Sequence, residues 1–270
     1  MISSLALALV HHTSRSVSSS VTAGDMPHTN SPAQPGTNTS TIEVYFGNGC
    51  YWERQWAYYV VETDATGPFA RQPNAFTAKV GYGGGSAPPE GDAVCYHSGD
   101  GRDYSALGHA EVNRISLDSD KASTQLRALA VDFFASFLGP HGGRIRPDPM
   151  DAGSPYRSVI GLPGGTASPL YEVITAANTF GMALKPATAG GGADEVNTVW
   201  VYNSETFPFW DGEVYHQCHC DFRMTAGMPY PQSYTRDVWN AKKAAGDFVP
   251  TGCPEGVMPH PGQMCPSFGR

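Results

Sequence analysis

Residues 41–56 read Thr41-Ile42-Glu43-Val44-Tyr45-Phe46-Gly47-Asn48-Gly49-Cys50-Tyr51-Trp52-Glu53-Arg54-Gln55-Trp56, and the change of rhythm inside them decides the fold. Ile42, Val44 and Phe46 alternate with outward residues at the two-residue period of a strand, which ends at the turn Gly47-Asn48-Gly49. Beyond the turn, Trp52, Trp56, Tyr59, Val60 and Thr63 recur at helical spacing. Strand, glycine turn and helix therefore follow one another, and Cys50 sits at the helix N-terminus.

The rest of the chain extends this pattern. A second strand is expected from Ala75 to Gly81, running into a loop Tyr82-Gly83-Gly84-Gly85, and a third from Ala110 to Leu117. From Ser119 as N-cap, Leu126, Leu129, Ala130, Phe133, Phe134 and Phe137 mark a helix with one apolar face, stopped by Gly139-Pro140. Strands are expected over Tyr156–Leu162 and Glu195–Asn203, with a helical pattern through Leu170, Val173, Ile174 and Ala177 between them. From Met224 onward Pro and Gly dominate. Strands and helices interleaved at irregular spacing imply an α+β two-layer sandwich, a mixed sheet with flanking helices and a long C-terminal coil.

Composition bounds the function. The 270 residues carry a net charge of -8, and the 17 Lys and Arg do not cluster, so a phosphate-binding surface is not expected. The 40% hydrophobic fraction fits a globular protein, while 31 Gly and 22 Pro imply long irregular stretches. No apolar run reaches the roughly 18 residues of a membrane helix. The glycine clusters at 83–85, 142–143 and 190–192 lack the Lys-Ser or Lys-Thr of a phosphate loop. Residues 1–40 are Ser-rich with no acid before Asp25, and read as a disordered leader or as an organellar transit-like segment, so the compartment is cytoplasmic or organellar. Residues 41–223 then form a catalytic domain and 224–270 a Pro/Gly-rich tail.

Six cysteines are too few for a disulfide scaffold, so each is judged by its place. At a helix N-terminus the partial positive charge and unpaired amide hydrogens favour a thiolate, which makes Cys50 a candidate nucleophile. Its alternative is a small buried core residue. Tyr51 and Trp52 place an aromatic wall beside the sulfur.

The company of Cys50 tips the balance. Gly49-Cys50-Tyr51-Trp52 resembles the Gly-Cys-Phe-Trp signature of the A-class peptide methionine sulfoxide reductases, and further matches follow in order. Gly81-Tyr82-Gly83-Gly84 is similar to the Gly-Tyr-Ala-Gly-Gly loop, Gly108-His109-Ala110-Glu111-Val112 matches Gly-His-Ala-Glu-Val, Asp151-Ala152-Gly153-Ser154-Pro155-Tyr156-Arg157-Ser158 is similar to Asp-x-Gly-x-Gln-Tyr-Arg-Ser, and Glu213-Val214-Tyr215-His216-Gln217 resembles Glu-Asp-Tyr-His-Gln. The resemblance spans residues 42 to 217 and implies a ferredoxin-like α+β fold.

It also implies a chemistry. Cys50 attacks the sulfoxide sulfur, Glu111 protonates the departing oxygen, Tyr82 and Tyr156 hold that oxygen, Asp151 organises the pocket, and Tyr51 and Trp52 receive the S-methyl group. The resulting sulfenic acid condenses with a resolving thiol, for which Cys253 and Cys265 in the tail are the first candidates and Cys218 and Cys220 further ones. A thioredoxin-like donor resets the disulfide, with no cofactor or metal, and methionine sulfoxide in peptides or proteins is the substrate. Cys95 reads as a packed thiol, and His109 and His216 as structural residues that orient loops.

The chain departs from the family pattern at four places. Glu53 stands for a glycine, His141-Gly142-Gly143 lies where His-Asp-Pro-Thr-Gln is usual, Pro155 replaces Gln, and Tyr96–Ala106 is an inserted loop. Three other readings remain: a diverged inactive member, a zinc-binding module on His216, Cys218, His219 and Cys220, and a Cys-His hydrolase.

Overall fold

The structure is a computed structural model that describes residues 40–89, 91, 93–137, 150–219 and 230–255. Residues 1–39 of the expected 1–40 leader, Gly139-Pro140, the His141-Gly142-Gly143 segment, Cys220 and Cys265 lie outside them. No helix among the described residues is long and apolar enough to cross a membrane.

The opening stretch folds as read: strand β1 covers Thr41–Gly47 and helix α1 covers Tyr51–Thr63, with Cys50 at the N-cap position. The remaining strands are β2 (Lys79–Gly83), β3 (Ala110–Asp118), β4 (Val159–Leu162), β5 (Ala183–Pro186), β6 (Thr198–Asn203) and β7 (Trp210–Asp211). They form one sheet in the order β5-β6-β4-β1-β3-β2-β7. β1 is antiparallel to both β3 and β4, β2 to both β3 and β7, whereas β4, β5 and β6 run parallel. The sheet is therefore mixed and the class α+β.

Helices α2 (Ala122–Ala135), α3 (Tyr171–Ala177) and α4 (Trp239–Ala244) pack with α1 over one face of the sheet. The strand residues Phe46, Ile115 and Ile160 meet Tyr58, Leu129 and Phe133 there, all fully buried. Truncating an aromatic in such a core costs about 3–5 kcal/mol. On the other face, Tyr45, Val112, Val159 and Tyr202 are covered by Trp200, Phe207 and Phe209 from chain that is not helical.

Four expectations are corrected. Tyr82 belongs to strand β2, which starts at Lys79, because residues 73–75 form a proline-led turn instead of strand. Ser119 does not cap α2: it bonds Ser40, and the chain turns once more, from Asp118 to Lys121, before the helix begins. Strands β5 and β7 were not expected. The tail is not coil throughout, since Ser233–Val238 makes a wide helical turn that continues into α4. Tyr234, Val238 and Trp239 recur at helical spacing and bury themselves in the main core, which outweighs the surrounding Pro and Gly.

Candidate active site

Cys50 emerges where β1 hands over to α1. Gly49 adopts a left-handed φ of 78°, which a side chain would disfavour, and its amide donates to the Tyr156 carbonyl at 3.0 Å. That bond brings the Asp151–Tyr156 segment beside the sulfur. Gly47 allows β3 to pass close by, since a Cβ there would stand 2.3 Å from the Glu111 carbonyl oxygen. Cys50 itself is half-buried and is in no disulfide.

Glu111, on β3 opposite Tyr82 of β2, is the acid of the site. One carboxyl oxygen accepts the amide N–H of Tyr51 at 3.1 Å and the other accepts the Tyr104 hydroxyl at 3.3 Å. The side chain is 2% exposed. Burial pushes its pKa up to about 8, the negative charge of Asp151 adding to the rise and the two hydrogen bonds opposing it. At neutral pH most of the carboxyl is therefore protonated, and it is bonded to the amide of Tyr51, the residue that follows the cysteine.

Four tyrosines surround it. Tyr82 is fully buried, and its hydroxyl donates to Glu213 at 2.6 Å, not towards Glu111. Tyr104 stacks on Tyr82 with ring centroids 4.8 Å apart, and Tyr96 stacks on Tyr104 at 5.3 Å. Tyr156 is half-buried and hydrogen-bonds the side chains of Tyr96 and Tyr104. Burial, followed by the nearness of Glu111, raises the pKa of Tyr96 to about 12 and that of Tyr156 further, with Asp151 and Cys50 contributing to both. These hydroxyls stay protonated over the physiological range and can donate. Cys50, Glu111, Asp151 and Tyr156 thus lie together, whereas the Tyr82 hydroxyl is turned to Glu213.

The aromatic wall is deeper than expected. Tyr51 is 1% exposed and packs between Tyr82 and His216, while Trp52 is half-buried with His219 stacked on it at 3.9 Å. The Trp52 indole donates to Nδ1 of His216 at 3.3 Å. Burial, reinforced by His219 and His97, pushes the His216 pKa well down, so the ring is a neutral acceptor. His109 is similarly neutral: burial lowers its pKa to about 4, and it spans from the Gly85 amide to the Ser86 carbonyl. His109 ties the Gly85–Ser86 loop, while His216 meets helix α1 through Trp52. Arg157 is a brace, donating to Ser154 and Gly108 carbonyls and the Tyr202 hydroxyl at 2.8–2.9 Å.

The sequence reading missed Tyr96, Tyr104 and Glu213. The loop 96–106 is exposed along much of its length but turns Tyr104 into the site. Cys95 exchanges backbone hydrogen bonds with Arg102 and Tyr104, and the Tyr96 amide donates to Glu213 at 2.7 Å, so the loop folds back with its tyrosines inward. The available signal was two tyrosines, Tyr96 and Tyr104, shortly before Glu111, without a motif to order them.

Cys95 is not a packed thiol: it is bonded to Cys253, 158 residues away. Both sulfurs lie within 4.8 Å of the Glu213 carboxylate, and Cys253 Sγ is 3.5 Å from the Val94 carbonyl. The tail thus reaches the edge of the site, but Cys253 is paired there. Cys218 is buried beside Tyr234, and burial drives its pKa up, against a thiolate. His216, Cys218 and His219 do not form a metal-ligating group among the described residues. The one such group, Cys95, Glu213 and Cys253, contains the disulfide sulfurs.

No protein-family model and no curated protein matches the chain. Among solved structures, it is similar to methionine sulfoxide reductase A of Corynebacterium diphtheriae at 18% identity and a TM-score of 0.40, with 82% of this chain and 85% of that one covered. Mxr1 from Saccharomyces cerevisiae in reduced form is similar at 18% identity and 0.41, covering 67% and 84%. The same protein in an unusual oxidized form gives 19% and 0.33, covering 67% and 82%. Function is therefore read from this chain's own residues.

Proposed function

We propose that the protein reduces methionine S-sulfoxide, free or in peptides and proteins, to methionine. The observation that carries this reading is the buried Glu111 carboxyl, bonded to the amide that follows Cys50 at a helix N-terminus and with its pKa raised by that burial. A sulfoxide is a poor electrophile until its oxygen is protonated, and a buried acid with a pKa near the working pH is suited to supply that proton.

In this reaction the Cys50 thiolate attacks the sulfoxide sulfur as Glu111 gives its proton to the oxygen, and Tyr156 donates a hydrogen bond to the same oxygen. The S–S bond formed by the attack then breaks as the protonated oxygen passes from the substrate sulfur to the Cys50 sulfur, so methionine leaves reduced and Cys50 is left as a sulfenic acid. Trp52 and the edge of Tyr51 receive the S-methyl group, a soft apolar unit that packs on aromatic rings. Asp151 maintains the raised pKa of Glu111. A second thiol then attacks the sulfenic acid, giving a disulfide and water, and two thiols of a thioredoxin-like donor restore both cysteines. Cys265 and Cys220 are the candidates for that thiol, together with Cys253 once its bond to Cys95 is reduced.

The test is consumption of separately prepared S and R sulfoxides of N-blocked methionine, with dithiothreitol as reductant. S-selective loss that disappears in Cys50→Ser is the expected result. Turnover of neither epimer by folded, reduced protein rules out the reductase.

A further inference from the structure

Tyr82 and Tyr104 stack face to face, but their hydroxyls go to different acids. Tyr82 donates to Glu213, which also accepts the Tyr96 amide, so this tyrosine braces the inserted loop. Tyr104 donates to the Glu111 carboxyl and hydrogen-bonds Tyr156. Resting on the reductase reading, we propose that Tyr104 is a positioning residue of the proton-donating centre: its hydroxyl holds the Glu111 carboxyl and joins it to Tyr156.

The geometry leaves Tyr104 little freedom. Its amide donates to the Cys95 carbonyl at 2.8 Å, its carbonyl accepts the His109 amide at 2.9 Å, and its ring lies between those of Tyr82 and Tyr96, 5% exposed. Cys95 is itself anchored through Cys253. The neighbouring Asp103 carboxylate accepts the Ser98 amide at 3.1 Å and closes the loop. Glu111 thus has one donor for each oxygen, the Tyr51 amide on one and the Tyr104 hydroxyl on the other. Asp151, Tyr51, Tyr82, Tyr96 and Tyr156 are the other titratable groups facing it.

A phenol donating to a carboxyl oxygen stabilises the carboxylate, so Tyr104 offsets part of the burial effect. The acid then remains able to release its proton instead of being locked neutral. Loss of this hydroxyl has two effects: the carboxyl can rotate off line, and its pKa rises.

Two readouts on the full chain test this. The Glu111 carboxyl is titrated by NMR of protein carrying carbon-13-labelled glutamate, assigned with Glu111→Gln, and kcat and KM for the S-sulfoxide are followed across pH. Tyr104→Phe is expected to shift the carboxyl titration and the alkaline limb of kcat to higher pH. It should also lower kcat about 10–100-fold with little change in KM. A fluorinated tyrosine at 104, which keeps the shape and strengthens the donor, should move both the opposite way. Tyr82→Phe should leave the titration in place. An unmoved titration in both Tyr104 proteins, or an equal upward shift in Tyr82→Phe, overturns the proposal. If wild type turns over no sulfoxide, the reductase reading fails, while the carboxyl titration still decides whether Tyr104 holds Glu111.

Discussion

Glu62 and Glu111 are both buried glutamates that serve the same helix, one near the last turn of α1 and one at its first amide, yet they are built for opposite purposes. Glu62 accepts the Arg71 guanidinium, the Thr77 amide at 2.7 Å, the Thr77 hydroxyl at 2.9 Å and the Ala78 amide at 2.8 Å. Glu111 has two donors, at 3.1 and 3.3 Å, and an acidic neighbour in place of a cation. Burial raises the pKa of both, but Arg71 and Thr77 pull Glu62 back while Asp151 pushes Glu111 further up. A saturated carboxylate fastens loop to helix. An undersupplied carboxyl keeps a proton it can give away.

Substitution separates the two roles. The largest effect is expected from Glu111→Gln, which removes the transferable proton but keeps the shape: kcat/KM for the S-sulfoxide should fall by about 10²–10⁴-fold, with thermal unfolding little changed. Glu62→Gln should do the reverse. With Arg71 left buried and short of charge, unfolding free energy in urea should drop by about 3–5 kcal/mol, while turnover per folded molecule persists. Similar activity losses in both variants would dissolve the contrast.

The next effect concerns the frame that carries Tyr104. Cys95→Ala with Cys253→Ala opens a loop of 158 residues and is expected to cost about 2–5 kcal/mol in the same urea measurement. An unchanged midpoint would mean that the disulfide adds nothing to the folded frame.

The smallest effect is a slope in stability with pH. Between about 4.5 and about 8 the folded chain holds a proton on Glu111 that the unfolded chain has released, so stability falls as pH rises through that window. His109, held neutral down to about 4, acts in the opposite direction below 6.5. The Glu111 contribution is therefore read between pH 6.5 and 8, where it approaches about 1.4 kcal/mol per pH unit and should vanish in Glu111→Gln.

The same contrast marks what the sequence could reveal. β1, β3 and α2 each repeat apolar residues over several periods, and the burial that follows such a period forms the core, whereas α1 buries Tyr51, Arg54, Gln55, Tyr58 and Glu62 and leaves Val60 of its apolar repeat exposed. β5 is largely exposed and β7 has two residues, so neither leaves a pattern. The helix at Tyr234, Val238 and Trp239 was hidden among proline and glycine. In the site, Cys50, Glu111 and Tyr156 are legible because short motifs carry them. Tyr104 and the pairing of Cys95 with Cys253 depend on how a loop folds back, and that is set by hydrogen bonds to the Arg102 carbonyl and the Glu213 carboxylate, not by local spacing.

The most direct measurement is a single turnover without reductant. Reduced protein is mixed with one equivalent of methionine S-sulfoxide, quenched with a sulfenic-acid trap, and mapped by peptide mass spectrometry while methionine is counted. The account predicts methionine formed in step with an adduct, or a disulfide, at Cys50, and neither in Cys50→Ser. Methionine formed with Cys50 still a thiol, or no methionine at all, would contradict it.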